Sequence, residues 1–204
     1  MYYLGYELLS AWIPFSLLIL LSGFMKRKKG IQIAKWSYLF LFVFAIYISG
    51  VFYITDAGTL YQGLEYGVVL DLGGVNLSPF YNVNTIGFFL NILLFVPFGI
   101  LVPLIWQKKN GFLPVLFSGF TFSLLIEVSQ VLGYRVSDVD DLMTNTLGAV
   151  IGFFLYWIWQ KCTKGKQYSQ GVPVVGLAPA ILVLFSGRFF LFNELGIAGC
   201  LYGF

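Results

Sequence analysis

The chain has 204 residues, of which 59% are hydrophobic, 20% aromatic and 10% charged, with a formal charge of +3 and a mean hydropathy of +0.85. That composition excludes a water-soluble globular domain and indicates a polytopic membrane protein. Histidine is absent, which removes the usual neutral-pH acid–base group and the commonest zinc ligand, so any proton chemistry rests on carboxylates, Arg or Tyr.

Six apolar segments, at roughly 4–24, 35–55, 84–106, 112–133, 141–160 and 172–192, approach the ~20 residues that a hydrocarbon core requires. The expected fold is all-α: a polytopic membrane helix bundle of about six transmembrane helices, one membrane domain over 1–204, with a long extracellular loop after the second helix. The first span is expected to be permanent, because its charges follow the apolar run and no A-x-A-like cleavage site comes after it. Lys26, Arg27, Lys28, Lys29 and Lys35, then Lys108 and Lys109, then Lys161, Lys164 and Lys166 fall between alternate spans. Positive charge near span ends marks the cytoplasmic side, so both termini are expected outside the cell membrane. Cys162 and Cys200 then lie near opposite faces, and no disulfide is expected between them. The basic residues sit at span ends and nothing in their pattern points to nucleic acid; membrane lipid is the expected surrounding.

Residues 56–83 carry no Lys or Arg and are punctuated by Gly58, Gly63, Gly67, Gly73 and Gly74. Val68, Leu70 and Leu72 alternate before Gly73-Gly74, which fits a short hairpin. Tyr61, Tyr66, Phe80 and Tyr81 fit an interfacial loop equally well. A loop this long is often a lid or a binding loop.

The third span puts Asn84, Gly87 and Asn91 on one helical face; Pro97, Gly99 and Pro103 read as residues that shape the helix, with a kink expected at Pro97. In the fourth span Gly119, Ser123, Glu127 and Gln130 form one stripe. Glu127 lies roughly 9 Å below the outer end, and Asn145 in the fifth span roughly 6 Å below it, at 1.5 Å per residue; Asn91 enters at a similar depth. An ionisable residue in so apolar a run is expensive, and its default reading is functional. Ser137 is expected to cap the fifth helix, with acids in its first turn. Gly148 and Gly152 form a G-x-x-x-G seam of the kind that packs membrane helices. Arg188, near the outer end of the last span, is expected to snorkel to the interface.

Four blocks in order, VNLSPF at 75–80, NILLFVPFG at 91–99, SLLIEVSQ at 123–130 and RVSDVDDLMTNTLGAVIG at 135–152, resemble the VanZ-like family, over a core of about 75–160. The resemblance implies an association with bacterial resistance to lipoglycopeptide antibiotics of the teicoplanin type. Carried over residue by residue, the family's polar signature falls on Asn91, Glu127, Gln130, Arg135, Asp138, Asp141 and Asn145, the expected polar pocket.

Several functions fit these residues. One is a non-enzymatic surface protein whose outward pocket binds a lipoglycopeptide or a lipid-linked cell-wall precursor, with no cofactor. Another is an enzyme acting on a lipid-linked envelope substrate, by acid–base chemistry or with Mg²⁺ or Ca²⁺ held by the oxygens of Asp138, Asp140 and Asp141. A small transporter is a third, although no matched pair of broken helices is visible. The last alternative is a packing network in which Arg135 pairs with Asp138 or Glu127. Space beside Glu127 separates a site from a packing network.

Overall fold

The computed structural model describes residues 2–66, 75–76, 78–79, 85–106, 111–132, 137–163, 171–193 and 200. The chain forms an all-α polytopic membrane helix bundle. Its elements are α1 (Tyr2–Lys28), α2 (Ser37–Thr55), the short α3 (Leu60–Tyr66), β1 (Val75–Asn76), α4 (Thr85–Ile105), α5 (Phe112–Leu132), β2 (Ser137–Asp138), α6 (Val139–Cys162) and α7 (Leu177–Leu191). Among the described residues five segments are long and apolar enough to cross a membrane: Leu4–Lys28, Ser37–Glu65 (α2 with most of α3), Thr85–Ile105, Phe112–Val131 and Val139–Cys162. Their outward faces carry large apolar side chains such as Leu20, Ile54, Ile86 and Leu93. In water such a surface would drive aggregation, whereas lipid solvates it.

The last apolar segment differs from its expectation. Only Leu177–Leu191, 15 residues, is helical. Residues ahead of it run as non-helical chain, bridged at Val172 and bent at Val174 and Val175, against α2 and α4 and the α1–α2 turn. The Val172 carbonyl accepts from Ala34 N–H at 2.9 Å and Val172 N–H donates to the Gln32 carbonyl at 3.1 Å. Val174 N–H donates to Ser37 Oγ at 2.8 Å, and Trp106 Nε1 to the Val175 carbonyl at 2.8 Å. Pro173 lacks a donor, and Pro179 fits the first turn of a helix but not its interior. The sequence therefore starts the helix late.

The core is aromatic. Leu41, Phe44, Ala45, Ile48, Val51 and Phe52 form the buried face of α2. They pack on Phe95 and Phe98 of α4 and Phe122 of α5, with the Phe98 and Phe122 rings stacked at 5.5 Å and Phe44 edge-on to Trp106 at 5.1 Å. The tightest crossing joins α4 to α6, which run parallel. A Cβ on Gly148 would collide with the Ile92 carbonyl, one on Gly152 with the Val96 carbonyl, and one on Gly99 with the Ala149 carbonyl. Only glycine lets these backbones meet, the small-residue logic of membrane helix packing. Ahead of the two helices, β1 and β2 pair in parallel, Val75 with Ser137 and Asn76 with Asp138. That short pairing pins the end of the loop to the start of α6. The alternating residues Val68, Leu70 and Leu72 lie outside the described residues, as do Phe80, Tyr81 and Asn84.

Candidate functional site

Four helices end at one level of the bundle, and their last or first turns carry its polar side chains. The end of α2, the start of α4, the end of α5 and the start of α6 enclose a cavity of about 420 Å³ lined by Ile54, Thr55, Asn91, Glu127, Gln130, Asp141 and Asn145. Glu127, Gln130 and Asn145 are 5%, 8% and 2% exposed. Asn91 Nδ2 donates to Asp141 Oδ1 at 2.6 Å. Gln130 Nε2 donates to the Thr55 carbonyl at 2.7 Å, and Asn145 Nδ2 to Ser123 Oγ at 3.0 Å. Glu127 Oε2 accepts from the Asp138 backbone N–H at 3.1 Å. Asn145 Oδ1 is buried and has no hydrogen-bond partner. Of the residues singled out from sequence, Asn91, Glu127, Gln130, Asp141 and Asn145 thus meet around one space. Arg135 and its neighbour Tyr134 lie outside the described residues. Thr55 and Ile54 join the wall without having been anticipated. Thr55 contributes a backbone carbonyl, which no residue type announces.

Asp138 sits one layer behind. Its Oδ1 accepts from Asp140 N–H at 2.9 Å and its Oδ2 from Asn76 Nδ2 at 3.1 Å. Asp138, not Ser137, therefore caps α6, a one-residue correction with a simple cause: the helix starts at Val139, and Asp138 is the residue immediately ahead of it. Among the described residues no three acids, cysteines or histidines converge to hold a metal ion. Asp138, Asp140 and Asp141, the metal candidates read from sequence, form no such group. Capping and Asn76 occupy the Asp138 carboxylate, and helical rotation of about 100° per residue separates Asp140 from Asp141.

A second polar group lies beside the cavity, and the sequence reading missed it. Arg188 is 4% exposed and Glu7 is 7% exposed; Arg188 Nε donates to Glu7 Oε1 at 2.8 Å. Arg188 Nη1 also donates to the carbonyls of Ala57 and Gly58, the latter at 3.3 Å. The expectation that Arg188 snorkels is therefore wrong: a counter-charge on α1 and two free carbonyls at the α2–α3 turn satisfy it inside the bundle. The signal that was available is the placement of one acid and one base at the same end of the first and last spans. The same turn touches the cavity. Thr55 receives Gln130, Asp56 adopts a left-handed φ of 48°, which Asp tolerates better than most residues, and Gly58 N–H donates to Ser129 Oγ at 3.0 Å. A Cβ on Gly58 would run into the Ser129 carbonyl. Residues 55–58 therefore tie the buried ion pair to one wall of the cavity.

On the opposite side of α6, an apolar groove of about 540 Å³ runs past Phe88, Phe120, Leu142, Met143, Leu147 and Val150. It begins level with the polar cavity, so a polar and an apolar recess flank one turn of one helix.

No solved structure matches the chain. Protein VanZ of Enterococcus faecium is 30% identical over 112 residues, which cover 54% of this chain and 69% of that protein. The VanZ/LLP1 family model matches residues 35–160, a stretch that holds α2, α4, α5 and α6, and with them every wall of the cavity. The chain belongs to the VanZ/LLP1 family.

Proposed function

We infer that this membrane protein lowers the susceptibility of a bacterium to lipid-tailed glycopeptides of the teicoplanin type, through the polar cavity, opened at the outer leaflet. The observation that carries the reading is the cavity itself: Glu127 and Asp141 border about 420 Å³ of space, where a packing network would have filled it with side chains. The basic last turns of α1 (Lys26, Arg27, Lys28) and α6 (Lys161) lie at the other end of the bundle, and positive charge favours the cytoplasm. That supports a cavity facing outward, both termini outside, where a lipid tail embeds and lipid-linked wall precursors are presented. The apolar groove beside α6 suits an acyl chain. The association that the VanZ-like resemblance implies supplies the drug class. In this reading Arg135 completes the pocket, by a bidentate contact to a carboxylate or phosphate, and Asp138 supports it from behind.

Susceptibility of a deletion strain complemented with variants tests the reading, with teicoplanin and vancomycin in parallel. Glu127→Gln, Asp141→Asn and Arg135→Ala should each return teicoplanin susceptibility to the level of the deletion strain, at unchanged membrane abundance. Vancomycin, without a lipid tail, should show little change throughout. Full activity in all three variants would sink the pocket. Two carboxylates beside open space also favour a second reading, an enzyme acting on a lipid-linked envelope substrate; recovery of chemically altered precursor from cells carrying the protein would put it first.

A further inference from the structure

The turn that follows α2 is held from two sides. Asp56 takes a left-handed φ of 48°, a conformation that a residue with a side chain keeps where its surroundings impose it. The turn is buried, with Ala57 1% and Thr59 0% exposed, so its backbone groups need partners from the protein. Ala57 N–H reaches back to the Phe52 carbonyl at 3.1 Å. From α5, Gln130 Nε2 donates to the Thr55 carbonyl at 2.7 Å, and Ser129 Oγ accepts from Gly58 N–H at 3.0 Å. From α7, Arg188 Nη1 donates to the carbonyls of Ala57 and Gly58.

Arg188 divides its donors. Its Nε meets Glu7 Oε1 at 2.8 Å, which balances the buried charge, and Nη1 is committed to the turn. Charge balance alone would need the first contact and not the second. A guanidinium presents its donors as a rigid planar fork, so fixing one edge on Glu7 also fixes where the turn's carbonyls must lie. Ile54 and Thr55, which lead into the turn, line the cavity. A shift of the turn therefore moves a cavity wall, and with it the acceptor of Gln130. Glu7 and Arg188 both fall outside residues 35–160, the stretch that the family model matches. The family segment supplies the walls of the cavity, and the first and last long helices brace one of them. We propose that Arg188, oriented by Glu7, is a positioning residue for the cavity: it holds the turn at Ala57 and Gly58 and so sets the place of Thr55 and Gln130 in the wall. Arg188 acts through the turn and does not itself line the cavity. The proposal rests on the cavity being the site through which susceptibility is lowered.

The test separates positioning from stability. Glu7→Leu/Arg188→Leu removes both charges together with the bonds to the turn. Thermal unfolding and hydrogen exchange are followed on the purified full chain in detergent, and teicoplanin susceptibility in the complemented deletion strain at matched membrane abundance. Peptides containing Ala57 and Gly58 should exchange about tenfold or more faster, the factor expected for losing a hydrogen bond to a charged group. Susceptibility should return most of the way to that of the deletion strain. Trp106→Phe is the control for stability alone. It deletes the bond from Trp106 Nε1 to the Val175 carbonyl at the opposite end of α4. It should lower the unfolding temperature and leave both turn exchange and susceptibility as they were. Unchanged exchange at the turn in the double variant overturns the proposal, as does faster exchange with resistance intact. Loss of resistance in Trp106→Phe to the same degree also overturns it, because instability alone would then explain the effect. If the leucine pair does not fold, Glu7→Met/Arg188→Met, with flexible side chains that fill irregular space, decides by the same readouts. Failure here with resistance still lost in Glu127→Gln and Asp141→Asn removes the positioning role and leaves the proposed function. Resistance unmoved by those two variants removes the proposed function, and with it the role of Arg188 in it, whatever the exchange at the turn.

Discussion

Glu7 and Arg188 show how a charge survives inside an apolar bundle. Each is buried, and each relies on the other and on the carbonyls of Ala57 and Gly58. Removing one partner strands the other, at a cost of about 3–5 kcal/mol, whereas replacing both with apolar residues of similar volume is often neutral. Arg188→Leu and Glu7→Leu should therefore each lower the unfolding temperature sharply, and the double variant should recover most of the loss. Equal and small losses in all three variants would mean that water or lipid headgroups solvate the pair. Legibility at this scale follows from contrast. Glu127 stands out because its neighbours are apolar and it falls on one stripe of α5 with Ser123 and Gln130, and Asn145 because it lies at a similar depth in α6. Arg188 misleads because a base near a span end looks the same whether it reaches outward to the interface or inward to an acid 181 residues away. The carbonyls of Thr55, Ala57 and Gly58 are invisible in a sequence, since every residue has one. The cap of α6 falls on Asp138 instead of Ser137 because the helix starts one residue later than the capping pattern suggests, at Val139.

Among the helices, the α4–α6 crossing decides how far apart the walls of the cavity stand, since Asn91 comes from one and Asp141 and Asn145 from the other. Gly152→Ala places a methyl against the Val96 carbonyl and the Cα of Gly99, and backbone cannot rotate away as a side chain can. Overpacking of this kind costs about 1–3 kcal/mol or more. Gly50→Ala is the matched control, because a Cβ there meets nothing within 4 Å; removing a helix-interior glycine should leave stability unchanged or raise it by up to about 1 kcal/mol. Unfolding in mixed micelles should separate the two variants in that order, and equal stability would refute the close crossing. The G-x-x-x-G spacing made this seam legible from sequence, down to its two glycines. Hydropathy was less informative about the last segment. It registers apolar residues alike whether they form a helix or the buried, bent chain of Val174 and Val175, and only Pro173, Gly176 and Pro179 hint at the late start of α7.

For the molecule as a whole, orientation and the crossing of α7 can be read from one experiment. α7 is 15 residues long, about 22 Å at 1.5 Å per residue, against a hydrocarbon core of about 30 Å. Its non-helical lead-in must supply the remaining depth if the segment is to cross. Both cysteines are free and exposed, Cys162 at the end of α6 beside the basic Lys161 and Cys200 beyond the end of α7. Single-cysteine variants, Cys162→Ser and Cys200→Ser, assign each label. If the basic clusters face the cytoplasm and α7 crosses, an impermeant maleimide added to intact cells should modify Cys200 and spare Cys162 until the membrane is opened. Labelling of both, or of neither, would place the two cysteines on one side and make α7 a helix that enters and returns. Labelling of Cys162 alone would invert the bundle and turn the cavity toward the cytoplasm. An inverted cavity could not meet an antibiotic acting at the outer leaflet, so that result would end the susceptibility reading.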